Sequence, residues 1–376
     1  MVDTTGDGRP HVMGPRGDEG VTDLEPSILV VAPWLQGGGG QKALQGILAA
    51  MPRERIRLVV LFTGNKNSEP LHEHVAEAVY LDAPRTPLGV LEARRRLAPY
   101  LTAATSVYSL MRASHVVLGI GSTRVLKSRR FAATFHQLPS EDDSARIGRV
   151  ENVFVRRAVR HAGLVTAPSP RAVEEIADRR FAARERIRFE ANASDATSEG
   201  SVAPRDGELG TVRLLFAGRL TEQKGLDRIA DLLAASRLPI HLKIAGDGEL
   251  RSSVEALAGA APAPHRIDYI GHTDDLPAEL DWADALFMPS RWELNPMTVW
   301  ESWARGRPVI ASSLDVFHDL STQGPVLVFD DAHDFAEQVV AVSADSPLRT
   351  RTFEEALVAF DRHSNERREL AAYLAG

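Results

Sequence analysis

The feature that most constrains the fold is a regular alternation of short, continuously apolar runs with longer amphipathic stretches. A short run without polar interruption is typical of a parallel strand that is buried on both faces. Strands that alternate with helices in this way predict doubly wound parallel sheets. With 376 residues the chain exceeds the usual size of a single domain, so we expect two such domains.

The alternation is interrupted at residues 193–211, a polar stretch typical of a linker. Before it, the pattern predicts strands at 27–32, 57–62, 115–119, 131–135 and 163–167, and helices at 41–51, 88–114, 149–161 and 170–178. After it, strands are predicted at 212–217, 241–245, 267–270, 285–288, 309–311 and 326–329, followed by a helix at 346–374. The sequence thus predicts a disordered leader (1–24), two Rossmann-like domains (25–200 and 201–345) and a C-terminal helical segment (346–376).

Composition excludes several classes of protein. Because the chain has no cysteine, it forms no disulfide, thiolate nucleophile or cysteine-ligated metal site. The net charge of −7 argues against broad nucleic-acid binding. No stretch approaches the roughly 20 apolar residues of a membrane span, and residues 1–24 lack a signal peptide's pattern, so we expect a cytoplasmic protein. Residues 121–160 carry nine basic and four acidic side chains, which leaves peripheral contact with the inner face of an anionic membrane open.

Two glycine loops follow predicted strands of the second half. After 212–217 come Gly218, Arg219 and Lys224; the glycine permits a close approach of a ligand, and the two cations could neutralise a diphosphate without a metal. The alternative is a solvated basic loop that caps a helix. After 241–245 come Gly246, Gly248 and Glu249, which resemble a nucleotide-binding turn but lack the spacing of a dinucleotide site.

The strongest constellation follows the strand predicted at 285–288. Asn295 and Pro296 predict a helix start, with Asn295 as the cap, and a helix start binds anions through its unpaired N–H groups. Glu301, inside that helix, is suited to grip the two hydroxyls of a ribose, and Glu293 precedes the helix on the far side of the phosphates. The alternative is an ordinary strand–helix unit with two solvated glutamates.

These residues resemble a known family, the retaining GT-B glycosyltransferases of family GT4. Glu293 and Glu301 match its Glu-x7-Glu signature, and the loop from Gly218 to Gly225 resembles its loop that begins with Gly-Arg and ends with Lys-Gly. In the first half, Gly37–Gly40 resembles its glycine loop and His136 its sugar-contacting histidine. Phe189-Glu-Ala-Asn192, in which only Asn192 is retained, resembles the Asn-Gly-Val-Asp turn at the end of the first domain.

The resemblance implies a GT-B fold, with two Rossmann-like domains facing across a cleft and a C-terminal helix that crosses back to the first. It implies transfer of a hexose from a nucleotide-diphosphate sugar, with UDP favoured, to an acceptor hydroxyl with retention and without a metal or other cofactor. The acceptor is expected to be a small molecule, natural product, lipid or glycan. The implied catalytic residues are Glu293, Arg219, Lys224 and His136. The implied donor-binding residues are Gly38, Gly39, Gly40, Gly218, Gly246, Gly248, Glu249, Leu294, Asn295, Pro296 and Glu301.

Other functions remain open at this point. An epimerase or phosphorylase could share the architecture, and so could a non-catalytic sensor of nucleotide sugars. An NAD-dependent enzyme is disfavoured because no Gly-x-Gly-x-x-Gly follows the first predicted strand. A lone histidine after a strand, such as His136, is also more often structural than functional.

Overall fold

The structure, a computed structural model, describes residues 11–13, 26–35, 39–64, 69–136, 138–140, 146–190, 196–206, 210–293, 295–343 and 346–376. The chain forms two compact units. The first comprises Met1–Asp195 together with Asn365–Gly376, and the second comprises Ala196–Ser364. The division between the units falls inside the stretch 193–211 that interrupts the sequence pattern.

The first unit is built on a sheet with strands in the order β1-β4-β3-β2-β5-β6-β7-β8. Its strands are β1 His11–Met13, β2 Ile28–Ala32, β3 Ile56–Phe62, β4 Glu77–Ala83, β5 Ser106–Leu110, β6 Arg130–Thr134, β7 Leu164–Ala167 and β8 Ile187–Phe189. Its helices are α1 Gly39–Ala49, α2 Glu69–His72, α3 Pro87–Ala103, α4 Met111–Gly119, α5 Arg124–Lys127, α6 Arg146–Val159 and α7 Pro170–Asp178. All described pairings are parallel except that of β1 with β4.

Strand β2 shows why these runs are continuously apolar. Leu29 and Val31 pack into one hydrophobic cluster, whereas Ile28, Val30 and Ala32 pack into another. Because successive side chains of a strand point to opposite faces, the sheet is covered on both sides.

The second unit contains a parallel sheet with strands in the order β11-β10-β9-β12-β13-β14. Its strands are β9 Val212–Ala217, β10 Ile240–Ala245, β11 Arg266–Gly271, β12 Ala285–Met288, β13 Val309–Ser312 and β14 Val326–Phe329. Its helices are α8 Ile229–Ala235, α9 Arg251–Gly259, α10 Leu276–Trp282, α11 Met297–Ala304, α12 Asp315–Ser321 and α13 Ala332–Ser343, followed by α14 Ser346–Ala375. The two sheets confirm the predicted fold class of two Rossmann-like α/β domains.

Several helices begin at a residue whose side chain caps the helix and which is followed by a proline in the first turn. Thr86 accepts a hydrogen bond from the Gly89 amide before α3, and Ser169 accepts one from the Ala172 amide before α7, each at 3.1 Å. Such caps satisfy amide groups that have no partner within the helix, which is why the helices start at these residues.

One predicted strand is wrong. Residues 115–119 lie in α4, and the strand of this region is β5, inside the stretch 88–114 that was predicted as one helix. Val116, Val117 and Leu118 are all buried, so their helix is apolar on more than one side. Its sequence pattern is therefore the same as that of a buried strand. Strand β4, which carries Glu77 and Asp82, was not predicted because its apolar run is broken by charges.

Part of the predicted leader has a described structure. His11–Met13 forms β1, which pairs antiparallel with residues 78–80 of β4. The other residues of the segment 1–24 lie outside the described part of the chain.

The last helix, α14, begins in the second unit and ends in the first. Leu370, Ala371 and Leu374 are buried in a core cluster of the first unit. The Ser106 hydroxyl donates to the carbonyl of Leu374 at 2.7 Å. The predicted return of the C-terminal helix to the first domain is therefore confirmed.

Candidate functional site

The strand order of the second unit defines where a ligand is expected. Strands β9 and β12 are neighbours, but the chain leaves β9 towards β10 on one side and leaves β12 towards β13 on the other. Open α/β sheets bind ligands at such a switch point, outside the carboxyl ends of the strands. The loops that follow β9 and β12 contain Gly218–Gly225 and Pro289–Pro296, the two segments singled out by the sequence.

These two loops touch through their backbones at Gly225. Gly225 has a φ of 64°, and a Cβ atom built on it would lie 2.1 Å from the Pro289 carbonyl oxygen. Only glycine combines this left-handed conformation with so close an approach. The glycine therefore brings the short 3-10 turn that contains Lys224 against the start of the β12 loop.

Lys224 and Glu293 form an ion pair across the two loops. The Lys224 ammonium lies 2.5 Å from Glu293 Oε1, and the same oxygen accepts a hydrogen bond from the Ser290 hydroxyl at 2.8 Å. The side chains of Lys224 and Glu293 are 16% and 6% exposed. The sequence predicted both residues for the site but not that they bind each other.

A second set of contacts holds the same loops together at their outer edge. Arg291 donates two hydrogen bonds to the Asp227 carboxylate, at 2.7 and 2.6 Å, and these hold the pKa of Asp227 below its ordinary value. Gln223 accepts from the Arg291 amide at 2.8 Å and donates to the Trp292 carbonyl at 3.0 Å. The sequence analysis missed these contacts, since Asp227 belongs to no motif and Gln223 is an unspecified position within the Gly218–Gly225 loop.

Arg219, Gly246, Gly248 and Glu249 lie at the same edge of the sheet. A Cβ atom on Gly246 would lie 1.9 Å from the Gly218 carbonyl oxygen, and one on Gly248 would lie 2.5 Å from the Leu220 carbonyl oxygen. The loop after β10 is thus fitted against the loop after β9, while the side chains of Arg219 and Glu249 are exposed. Both glycine loops lie where a phosphate could reach them.

The helix start in the β12 loop differs from the prediction. Helix α11 begins at Met297, with Pro296 as its cap residue and no side-chain cap. Asn295 was predicted to cap the helix, but its Oδ1 accepts a hydrogen bond from the Trp300 indole N–H at 3.2 Å. Trp300 is fully buried, and an acceptor for its indole N–H offsets the loss of water on burial, so the amide oxygen serves the indole.

Glu301 lies within α11 and is 7% exposed. Trp300 and Trp303, on either side of it, are fully buried and make an edge-to-face contact with ring centroids 5.0 Å apart. The two indoles are therefore among the buried side chains of α11, next to Glu301. Leu294, which precedes Asn295 and was also predicted to bind the donor, lies outside the described residues.

The predicted residues of the first unit are placed at two strand ends. His136 is half-buried and follows β6, and Gly39 and Gly40 form the start of α1, which follows β2. Gly38 and Asn192 lie outside the described residues.

The described residues lack two features that would change the expected function. Within them, no helix is long and apolar enough to span a membrane. The described part of the chain also contains no group of three or more histidine and acidic side chains that could hold a metal ion.

Comparison with known proteins gives a family-model match within the second unit. A family model described as "Glycosyl transferases group 1" matches residues 211–345. The chain is 32% identical over 145 residues to the lipopolysaccharide core biosynthesis glycosyltransferase LpsE of Rhizobium meliloti, a match that covers 38% of this chain and 42% of LpsE. It is 27% identical over 218 residues to the alpha-D-kanosaminyltransferase of Streptomyces kanamyceticus, covering 54% of this chain and 56% of that enzyme.

The chain thus matches less than two thirds of the length of either curated relative. A solved structure, Anabaena HepE in complex with UDP and glucose, matches more of it. HepE superposes with a TM-score of 0.71 over 92% of this chain and 98% of its own, at 18% identity. Residues 211–345 thus match the model of the group 1 glycosyl transferases, and HepE has a similar fold over 92% of this chain.

Proposed function

We propose that this chain is a retaining hexosyltransferase of family GT4 that uses a nucleotide-diphosphate sugar, with UDP-sugars favoured, and needs no metal. The observation that carries this proposal is the pair of loops at the switch point of the second sheet, which brings Lys224 and Glu293 together. It is supported by the match of residues 211–345 to the group 1 glycosyl transferases and by the UDP in the HepE structure.

In this proposal the donor binds along the carboxyl edge of the second sheet. Arg219 and Lys224 bind the diphosphate, and the glycines of the β9 and β10 loops let the nucleotide approach the backbone. Glu301 binds the ribose, and Glu293 binds the sugar near its 3-hydroxyl. The assignment of His136 to the sugar's 6-hydroxyl stays a prediction.

The reaction exchanges one bond at the anomeric carbon. The acceptor hydroxyl oxygen forms a bond to that carbon while the bond to the diphosphate oxygen breaks, and the hydroxyl proton passes to the departing nucleoside diphosphate. Negative charge grows on the leaving diphosphate, so cations fixed beside it in advance accelerate the reaction. Arg219 and Lys224 are suited to this role. The names of LpsE and the kanosaminyltransferase support a glycan, lipid or natural product as acceptor.

Donor binding tests the proposal directly. Thermal shift and slow donor hydrolysis are measured with UDP-, GDP-, TDP- and ADP-sugars, with EDTA present and with NAD as a comparison. We expect at least one sugar nucleotide to stabilise the protein and to be hydrolysed. Stabilisation by NAD but by no nucleotide or sugar nucleotide would refute the transferase.

Variants of the cations then locate the site. Arg219→Gln and Lys224→Gln should each weaken donor binding and turnover, because each removes a positive side-chain charge that would neutralise the diphosphate. Arg237→Gln is the matched control, since Arg237 is an exposed arginine that precedes β10, at the opposite edge of the sheet. Equal effects of all three substitutions would contradict the assignment.

A further inference from the structure

The carboxylate of Glu293 depends on two donors that serve the same oxygen. Lys224 and Ser290 both bind Oε1, at 2.5 and 2.8 Å. A carboxylate that is only 6% exposed is costly without such partners, since water cannot replace them. Any event that removes one donor therefore makes Glu293 dependent on the other.

Donor binding is such an event if the proposed function is correct. The diphosphate needs the ammonium of Lys224, and the same ammonium pairs with Glu293 in the present structure. When Lys224 turns to the phosphate, Ser290 is left as the donor that holds Oε1 in place.

Ser290 is itself held by the sheet. It is 1% exposed, and its carbonyl oxygen accepts a hydrogen bond from the hydroxyl of Ser312, the last residue of β13. Its position is therefore fixed by a neighbouring strand and does not depend on Lys224.

We propose that Ser290 is a positioning residue that keeps Glu293 directed at the donor sugar while the diphosphate takes over Lys224. This inference rests on the proposed function and adds a residue and an order of events to it. In the absence of donor, Lys224 and Ser290 share the carboxylate. With donor bound, Lys224 serves the phosphate, and Ser290 alone orients Glu293.

The test is Ser290→Ala, measured by steady-state kinetics with the sugar nucleotide that wild type turns over and by calorimetric titration with UDP. A hydrogen bond to a charged group sets the scale, so we expect kcat to fall about 10- to 100-fold. The donor KM and the affinity for UDP should change by less than about twofold, because Ser290 touches neither phosphate nor nucleoside. Ser290→Thr, which retains the hydroxyl, should recover most of the lost kcat.

Two comparisons separate a positioning role from a structural one. Ser313→Ala is the matched control, because the Ser313 hydroxyl bonds His318 Nε2 at 2.9 Å and His318 is not one of the predicted site residues. In a double-mutant cycle, Ser290→Ala should cost nothing further in a Glu293→Ala background, because the serine acts through the side chain that this substitution removes.

The outcomes are distinct for the two proposals. An unchanged kcat in Ser290→Ala, or an equal loss of kcat in the Glu293→Ala background, would overturn the role of Ser290. A parallel loss of kcat and UDP affinity would do the same, because it would indicate damage to the fold. Absence of UDP and sugar-nucleotide binding in the wild-type protein would instead refute the proposed function.

Discussion

At the scale of single residues, the ion pair between Lys224 and Glu293 joins two groups that the sequence assigned to different parts of a donor. Motif spacing indicated that both residues belong to one site, because each follows a strand of the same sheet. It could not indicate that they bind each other, because that contact depends on how closely the two loops approach.

Glu293→Gln should separate turnover from nucleotide binding. We expect turnover to fall by on the order of 100-fold, since the substitution removes a charge that acts on the sugar. UDP affinity should stay the same or rise, because Lys224 is released from its carboxylate partner. Calorimetry and donor turnover measure the two effects, with the exposed Glu255→Gln as control. Full turnover in the Glu293 variant would show that the assigned role is wrong.

His115 should make the first unit sensitive to acid. It is fully buried, with its ring nitrogens on Ser109 Oγ at 2.7 Å and the Thr134 carbonyl at 3.1 Å, and burial lowers its pKa from 6.5 to about 3. Between these values the unfolded chain binds a proton that the folded protein excludes. Stability should therefore be complete above pH 6.5 and fall by about 1 kcal/mol per pH unit below it.

Urea unfolding at pH 7.5, 6.5 and 5.5 measures this contribution. His115→Asn should unfold with a weaker pH dependence than wild type, whatever its stability at pH 7.5. His272→Asn, at an exposed side chain, should leave the pH dependence as it is in wild type. An identical pH dependence in wild type and His115→Asn would contradict the prediction.

At the scale of elements, the loops after β9 and β12 work as one unit because Gly225 permits their contact. Gly225→Ala should cost about 1 kcal/mol for the left-handed conformation and should also push the loops apart at Pro289. A displacement of about 1 Å can cost on the order of 100-fold in turnover, and we expect a loss of that size.

Gly200→Ala is the matched control for this substitution. Gly200 has a φ of 70°, and a Cβ atom on it meets nothing within 4 Å. It should show a similar loss in unfolding free energy and full turnover. If both variants keep full turnover, the contact at Gly225 does not position the site.

Whether a segment forms a helix or a strand was predictable where its apolar pattern is compatible with only one of the two. The second unit's strands follow runs that are bounded by glycine, proline or charge, and all of them were predicted within a residue or two. The secondary structure of residues 115–119 was predicted wrongly, because an apolar stretch that is buried on several sides fits a strand and a buried helix equally well. Strand β5 was missed because its apolar run is interrupted by Ser106 and Ser109. The hydroxyl of Ser106 bonds the Leu374 carbonyl of α14, and that of Ser109 bonds His115.

At the scale of the whole molecule, helix α14 links the two units by belonging to both. Leu374 is fully buried in the first unit, so Leu374→Ala should cost about 2–5 kcal/mol of unfolding free energy. Leu348→Ala, on the same helix at a side chain that is 36% exposed, should cost less than about 1 kcal/mol. Denaturant unfolding measures both, and equal losses would show that the end of the helix does not stabilise the first unit.

The sequence by itself determined the two α/β domains, the interruption between them and the glycine-rich loops in which we propose the site. Those features depend on local periodicity and on glycines next to strands, and both are visible in one dimension. Tertiary structure alone decided that Lys224 pairs with Glu293, that Asn295 serves Trp300 instead of capping α11, and that Ser290 supports the carboxylate. Each of these contacts forms only when a donor and an acceptor come within about 3 Å of each other in the folded protein. That distance is set by the strand order and by packing, and not by the spacing of the residues along the chain.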